Sequence, residues 1–342
     1  MSVTIKDVAA LAGVSPSTVS RTCKDHPSIS RETKEKVRHA MAQLGYEPNF
    51  QASNLACHNS RTIGIILPPS KKEVYENPFY LQVIRGICQY CNPRQFSNAV
   101  ITGQDDEEIL QTIKTMTRSG QADGFLLLYS RQDDPVVNYL YHEGLRYVLL
   151  GKAYQYTNQT VYIDNDNLLA GQEATEYLYQ LGHRKIAFLG TDSSLLFSAD
   201  RKSGYQLALT RLGLPILPEY CIEMPTASLE DGSALCRLLQ SSSRPTAILV
   251  SDDILAVALE RICLENGISI PEDLSILSFN NSLFARMTSP QLTSIDVNAH
   301  QLGIEAAAQM INHIENPNLP ATKSIVPHFL LERDSCRRIP VT

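Results

Sequence analysis

The chain has 342 residues, 43% of them hydrophobic and 19% charged, which is the composition of a folded globular protein and excludes wholesale disorder. No stretch approaches the roughly 18–20 apolar residues of a membrane span, Met1–Asp7 lack a signal-peptide pattern, and eight cysteines spread along so long a chain do not make a secreted disulfide scaffold. A cytoplasmic protein of two or three domains, with no membrane partner, is expected. The net charge of −6 argues against a nucleic-acid partner only until the chain is divided, because residues 1–61 carry eight Lys/Arg against five Asp/Glu. A small basic head therefore precedes an acidic remainder.

In the head, Thr4 is placed to cap a helix whose apolar Ile5, Val8, Ala9 and Ala12 share one face. Gly13 ends that helix as a left-handed cap, and Ser15-Pro16 opens a second one, with proline at the first helical position. Ser30 caps a third helix over residues 33–44, whose Val37, Ala40, Met41 and Leu44 can close a three-helix core around this helix-turn-helix. Periodicity alone does not distinguish DNA binding from an ordinary helical hairpin. The second helix does. Beside the capping Ser15, residues Ser17, Thr18, Ser20 and Arg21 present hydroxyls and a guanidinium suited to phosphates and base edges in a major groove. A solvated helix surface is the plainer alternative, and Ser20 alone would fit it.

The segment VTIKDVAALAGVSPSTVSR, followed by SISRETKEKVRHAMAQLGYEPN, resembles the lactose-repressor/galactose-repressor family of bacterial transcription regulators. The resemblance implies that Pro16, Ser17 and Arg21 read bases and that Thr4 and Ser20 contact phosphates. Lys24 stands where the family usually has asparagine and offers a further phosphate contact. Pro16 has no N–H and can read a base only by apolar contact, as with a thymine methyl.

Residues 47–61 read as a hinge, where Pro48 breaks the third helix and Asn49 caps a segment too short to be stably helical by itself in water. By the same resemblance this becomes a hinge helix ordered on DNA, with Leu55 wedged between base pairs in the minor groove. Without the head, a linker leucine packed on the body would be the better reading. Ser53 and Asn54 replace the arginine the family often has beside that leucine, so minor-groove electrostatics are weaker.

From Thr62 onward, the apolar runs TIGIILP, SNAVITG, DGFLLLY, RYVLLGK, KIAFLG, TAILVSD and LSILSFN alternate with helical patterns. Such runs read as strands buried on both faces, and their alternation with helices implies α/β subdomains with parallel sheets. The resemblance implies a two-lobed, periplasmic-binding-protein-like core for residues 62–342. Lobe one would hold about 62–161 plus 297–326, and lobe two about 162–296 plus 327–342. A cleft between such lobes, at the carboxyl ends of the strands, is a natural small-molecule site.

No GxSxG, HExxH, GxxxxGK[ST] or strand-linked GxGxxG motif occurs, and Cys88-x-x-Cys91 stands without a second pair or a nearby histidine. No enzyme activity, metal or cofactor is expected. Candidate effector residues are Arg201 in ADRKSGY, aligned with the family arginine that holds ligand hydroxyls or carboxylates, together with Asp252 and Asn280. The last two stand where the family often has asparagine and aspartate, and both keep a bidentate hydrogen-bonding group. Pro78, Phe79 and Tyr80 begin a helix after the first strand, and Tyr129 ends the strand DGFLLLY. These aromatics can stack on a sugar or a nucleobase, or simply pack in the core. Gly151-Lys152 replaces the family's common Asp-Arg and removes a carboxylate from the pocket. LLGK, VYIDNDN and DRKSGY are most similar to maltose-operon regulators of Gram-positive bacteria. The expected partners are thus double-stranded operator DNA, a small sugar effector and a second copy of the chain. The dimer is expected because LLERDSCR is followed only by the five residues 338–342 and by no heptad segment. A catabolite regulator with a phosphoprotein corepressor, a purine-responsive regulator, and a sugar-binding or enzymatic protein that merely carries the head are the alternatives.

Overall fold

The computed structural model describes residues 3–23, 25–46, 60–70, 77–224 and 233–340. The chain divides into two compact units, residues 1–60 and 61–342.

The first unit holds α1 (Ile5–Ala12), α2 (Pro16–Cys23) and α3 (Arg31–Leu44). Each end is set by a residue close in the chain. The Asp7 carboxylate accepts from the Thr4 backbone N–H at 2.8 Å and from its hydroxyl at 2.7 Å, closing the first turn of α1. Gly13 turns the chain out of α1 at φ 65°, a conformation that costs glycine no Cβ clash. Ser15 Oγ accepts from Thr18 N at 3.2 Å, and Ser30 Oγ from Thr33 N at 3.3 Å. Because Ser30 is the cap, α3 starts at Arg31, two residues before the expected Thr33. Val8, Ala9, Val19, Val37 and Ala40 form the buried core, with Met41 and Leu44 half-buried at its margin.

The second unit contains two six-stranded sheets. In chain order, the first comprises β1 (Thr62–Ile66), β2 (Ser97–Ile101), β3 (Gly124–Leu127), β4 (Tyr147–Leu150), β5 (Val161–Asp164) and β11 (Lys323–Ile325). All its pairings are parallel, in the order β11-β5-β4-β3-β1-β2. The second comprises β6 (Ile186–Gly190), β7 (Cys221–Glu223), β8 (Ala247–Val250), β9 (Ser275–Phe279), β10 (Thr293–Asp296) and β12 (Phe329–Leu331). Its order is β12-β10-β9-β8-β6-β7, with only β12 antiparallel. The helices are α4 (Pro78–Cys91), α5 (Asp106–Arg118), α6 (Pro135–His142), α7 (Asn167–Gln180), α8 (Leu196–Arg211), α9 (Ser233–Gln240), α10 (Asp253–Glu265), α11 (Leu283–Met287) and α12 (Ala299–Glu315).

Two helix pairs approach unusually closely, each through reciprocal glycines. A Cβ on Gly204 of α8 would lie 2.1 Å from the Leu168 carbonyl of α7, and one on Gly171 of α7 would lie 2.3 Å from the Arg201 carbonyl. Gly86 of α4 and Gly303 of α12 repeat the arrangement at 2.1 Å from His300 O and Val83 O. The α7–α8 contact fixes the backbone of Arg201.

The chain passes between the sheets after Asp164, around residues 297–298, and around 326–328. The first passage lies three residues beyond the expected 161, because Val161–Asp164 is a strand of the first sheet, paired with both β4 and β11. A single amide ties the three passages together. Asn165 Nδ2 donates to Val297 O at 3.0 Å and to Val326 O at 2.8 Å. Strand β10, TSID, escapes a search for apolar runs, yet Thr293 and Ser294 are fully buried. Ser335 Oγ accepts from Thr293 N at 2.8 Å, and Ser294 Oγ donates to Asp253 at 3.1 Å, so burial leaves these groups satisfied.

Candidate functional site

On α2, Val19 and Thr22 are buried while Pro16, Ser17 and Arg21 are exposed and Ser20 is half-exposed. The positions 16, 17, 20 and 21 follow helical spacing, so they form one outward face. At its N-terminal end, Ser15 Oγ lies 2.8 Å from Ser17 Oγ and 2.9 Å from Thr18 Oγ1. Ser15, Ser17 and Thr18 thus share hydroxyl contacts at the helix start, and Pro16, Ser17, Ser20 and Arg21 make up the outward face. Thr4 is exposed at the start of α1, its hydroxyl donating to Asp7. Ion pairs from Lys34 and Arg38 to Asp25, both 2.9 Å, hold the turn after α2 against α3. Lys24, Asn49, Ser53, Asn54 and Leu55 lie outside the described residues.

The second unit has a small cavity, of about 70 Å³, between its two sheets. It sits where strand ends meet helix starts, as expected for open parallel sheets. The first sheet contributes Tyr129 and Ser130 after β3, Gly151 after β4 and Asp164 at the end of β5, with Asn77, Phe79 and Tyr80 at the start of α4. From the second come Asp252 after β8, Asn280 after β9, and Phe197 and Arg201 on α8.

Arg201 is 4% exposed. Its Nε donates to Asn167 Oδ1 at 2.8 Å and its Nη1 to Ser251 O at 2.6 Å, while its guanidinium lies 4.2 Å from the Phe279 ring centre and 4.9 Å from that of Phe197. Burial lowers its pKa to about 10, against the pull of Asp252, Asp164 and Asp253. It stays charged at neutral pH. Asp252 caps α10, accepting from Ile254 N at 2.7 Å through Oδ1. Its Oδ2 accepts from Asn280 Nδ2 at 2.7 Å and, from the other sheet's side, from Asn77 Nδ2 at 3.3 Å. Burial, reinforced by Asp253, pushes Asp252 up to about 6, although the Ile254 N–H, Asn77 and Arg201 oppose the shift. Burial likewise pushes Asp164 up to about 7, with Asp200 adding to it and the Asn165 N–H, Arg201 and Lys152 opposing. Asn167 Nδ2 donates to Asp164 Oδ1 at 3.0 Å. Carboxylates, amides and one guanidinium held in fixed positions beside aromatic rings make a surface for a ligand rich in hydroxyls. Ser130 Oγ donates to the Lys152 carbonyl and is not poised against a base.

Arg201, Asp252, Asn280, Phe79, Tyr80 and Tyr129 therefore come together, and two expected residues do not. Pro78 is the first residue of α4 and its neighbours face the cavity in its place. Lys152 is exposed, its Nζ drawn to Asp200 Oδ2 at 3.6 Å, and does not line the cavity. Reading the sequence missed Asn77, Ser130, Gly151 as a wall, Asp164, Asn167 and Phe197. Asn77-Pro78 is a helix-start signal that could have revealed the first. The VYIDNDN stretch contains Asp164 and Asn167, but nothing local aims them inward.

Among the described residues no group of three or more His, Cys, Asp or Glu side chains is arranged to hold a metal ion, and no helix is long and apolar enough to cross a membrane.

Residues 4–49 match the bacterial regulatory proteins of the lacI family, and residues 175–336 match a periplasmic binding protein-like domain. The HTH-type transcriptional regulator MalR of Streptococcus pneumoniae serotype 4 is 33% identical, over 97% of this chain and 100% of its own length. MalR of Staphylococcus xylosus is 32% identical, over 98% and 99%. Among solved structures, a transcriptional regulator CelR–cellobiose complex matches with a TM-score of 0.75 at 27% identity, covering 98% of this chain and all of its own. The protein belongs to the lacI family of bacterial regulatory proteins.

Proposed function

We propose that the protein is a DNA-binding transcriptional repressor of a sugar-utilisation operon, not an enzyme. It acts as a homodimer on a double-stranded, pseudo-palindromic operator and is released by a small sugar. The observation that carries this reading is the pairing, in one chain, of the outward Pro16–Ser17–Ser20–Arg21 face with a cleft lined by Arg201, Asp252, Asp164 and Asn280. The names of the relatives, MalR and a CelR–cellobiose complex, support it. In this reading Lys24, Asn49, Ser53, Asn54 and Leu55 complete the DNA contact. A sugar shifts the protein between states only by the difference in its affinity for them. The cleft suits that role, because the sheets that form it are joined through three short passages clasped by Asn165.

The test is a gel-shift titration across a range of salt, using an operator selected from random-sequence DNA and a scrambled control. Specific binding weakens steeply with salt as phosphate contacts release counterions, and the sugar that derepresses releases the operator. Arg21→Ala loses about 1–3 kcal/mol on the operator and little on the control if Arg21 reads a guanine. Equal weakening on both DNAs would reduce Arg21 to a phosphate contact. Equal affinity of the wild type for both would refute specific recognition.

A further inference from the structure

Neither the head nor the cleft uses the Cys88-x-x-Cys91 pair, whose thiols are both free. The two residues stand three apart at the C-terminal end of α4, so they are neighbours on one helix face. Asn98 of β2 reaches the pair, its Nδ2 donating to Cys88 Sγ at 3.7 Å. Cys88 is half-buried and Cys91 is fully buried. Among the described residues no third His, Cys, Asp or Glu is grouped with them as a tetrahedral metal site requires, whereas two neighbouring sulfurs suffice for a disulfide.

The backbone gives this pair a lever. Cys88 O accepts from Asn92 N, the bond that closes the last turn of α4, and Cys91 O accepts from Phe96 N at 3.2 Å. Between those bonds lies the 3-10 turn Asn92–Arg94. That turn and the residues after it hold Arg61. Arg94 O accepts from Arg61 Nη2 at 2.8 Å, and the Arg61 guanidinium lies 4.8 Å from the Phe96 ring centre. Arg61 O in turn accepts from Ser97 N at 2.7 Å. Arg61 sits at φ 47°, a left-handed conformation that an arginine keeps only when its surroundings hold it there. It is also the first residue of the second unit, and so the point at which the segment 47–61 is anchored.

Closing a disulfide disturbs that anchor. Helix geometry sets the Cβ atoms of residues three apart at about 5–6 Å, whereas a disulfide needs about 3.5–4.5 Å. A helix interior resists such a contraction. Cys91, however, is the last residue of α4, so the final turn can tighten while the turn after it shifts. A bond formed under this strain is readily reduced again, which makes it reversible.

We propose that Cys88 and Cys91 are a reversible thiol–disulfide site whose oxidation loosens residues 92–97 from Arg61 and thereby weakens operator binding. The oxidant is a low-molecular-weight disulfide. Cys88, the more accessible sulfur, loses its proton to solvent, attacks one sulfur of the oxidant and expels a thiolate, leaving a mixed disulfide. Cys91 then gives its proton to that thiolate, attacks Cys88 Sγ and expels the second thiolate, which takes a proton from solvent. Two electrons pass from the cysteine pair to the oxidant, which leaves as two thiols. Burial, with Cys88 beside it, pushes the Cys91 thiol up to about 11, so Cys91 does not attack first. The site needs no sugar and acts as a second input to operator affinity, beyond the sugar-responsive reading above.

The experiment incubates the full-length protein in glutathione buffers of rising oxidised fraction, blocks the remaining thiols and maps disulfides by peptide mass spectrometry. Amide exchange and gel shift on the selected operator are read on the same samples. Expected are a Cys88–Cys91 disulfide that dithiothreitol reverses, faster exchange of the Phe96 and Ser97 amides, and operator affinity lowered about fivefold or more. Cys88→Ser should lose all three responses, and Cys91→Ser should stop at glutathione attached to Cys88. The wild type and Cys88→Ser decide between them if Cys91→Ser does not fold. Oxidation of the other six cysteines acts on Cys88→Ser as well, so the difference from the wild type isolates the pair. Absence of the disulfide in the wild type overturns the inference. So does a disulfide that leaves exchange at residues 96 and 97 unchanged, or an operator loss as large in Cys88→Ser. If the reduced wild type fails to bind operator, the regulator reading falls by itself, and mapping with amide exchange still decides the thiol site.

Discussion

Arg201 lines the cavity and anchors its walls, and Arg201→Ala tests both that structural role and the ligand contact proposed for it. The side chain is 4% exposed and makes two charge-assisted hydrogen bonds, to Asn167 Oδ1 and Ser251 O. Truncation leaves those two acceptors short of a donor, at about 1–3 kcal/mol each. It also removes the cation that opposes the burial of Asp252 and Asp164. Breaking buried charge compensation of this kind costs about 3–5 kcal/mol, and that is the expected loss for the unit 61–342. The loss should depend on pH. Without the guanidinium both carboxyls are driven further toward their neutral forms. The destabilisation is therefore largest at pH 8, where keeping them protonated is costly, and smallest near pH 5, where protons are abundant. Urea unfolding followed by circular dichroism at pH 5 and pH 8 measures this, as a shift in midpoint at unchanged slope. Parallel calorimetry should show sugar binding abolished, and gel shift should show operator binding retained at temperatures where the variant stays folded. A destabilisation below about 1 kcal/mol at both pH values, together with an intact sugar response, would refute the placement of Arg201 at the centre of the cleft.

Three further outcomes follow from the same geometry. Burial raises Asp164 to about 7 and Asp252 to about 6, and a hydroxyl that donates to a carboxylate favours its ionised form. Sugar affinity should therefore rise from pH 5 to pH 8 with release of protons on binding, which calorimetry in buffers of different ionisation enthalpy reads directly; proton uptake would show that the carboxyls donate instead. In the ligand-free protein the same raised values make their contribution to stability fall as pH rises from about 4 toward 7, while His183, lowered to about 4 by burial, acts in the opposite direction up to its unfolded value. Gly204→Ala places a Cβ 2.1 Å from the Leu168 carbonyl, which forces α7 and α8 apart at a cost of about 1–3 kcal/mol or more. Because Arg201 lies one turn earlier on α8, sugar affinity should weaken as well, and an unchanged thermal midpoint would show that the contact between the helices relaxes freely.

What the sequence determined by itself was local. Thr4 with Asp7, Gly13, Ser15-Pro16 and Ser30 mark the helix ends of the head, and each acts on backbone no more than four residues away, so no other part of the chain is needed to read them. Long apolar runs such as DGFLLLY likewise announce strands buried on both faces, because only apolar side chains can fill both sides cheaply. The tertiary structure decided what depends on partners far away in the chain. Strand β10 is buried although it is half hydroxyl-bearing, because Ser335 and Asp253, about 40 residues distant, satisfy it. Val161–Asp164 joins the first sheet because β4 on one side and β11, more than 150 residues later, pair with it. Asn77, Asp164, Asn167 and Phe197 were invisible as site residues for the same reason. An asparagine that caps a helix and an asparagine that caps a helix while reaching a carboxylate 175 residues away have the same neighbours in sequence. Only closure of the two sheets toward each other makes Asn77 and Asp252 partners, and through them decides which polar groups face the cavity.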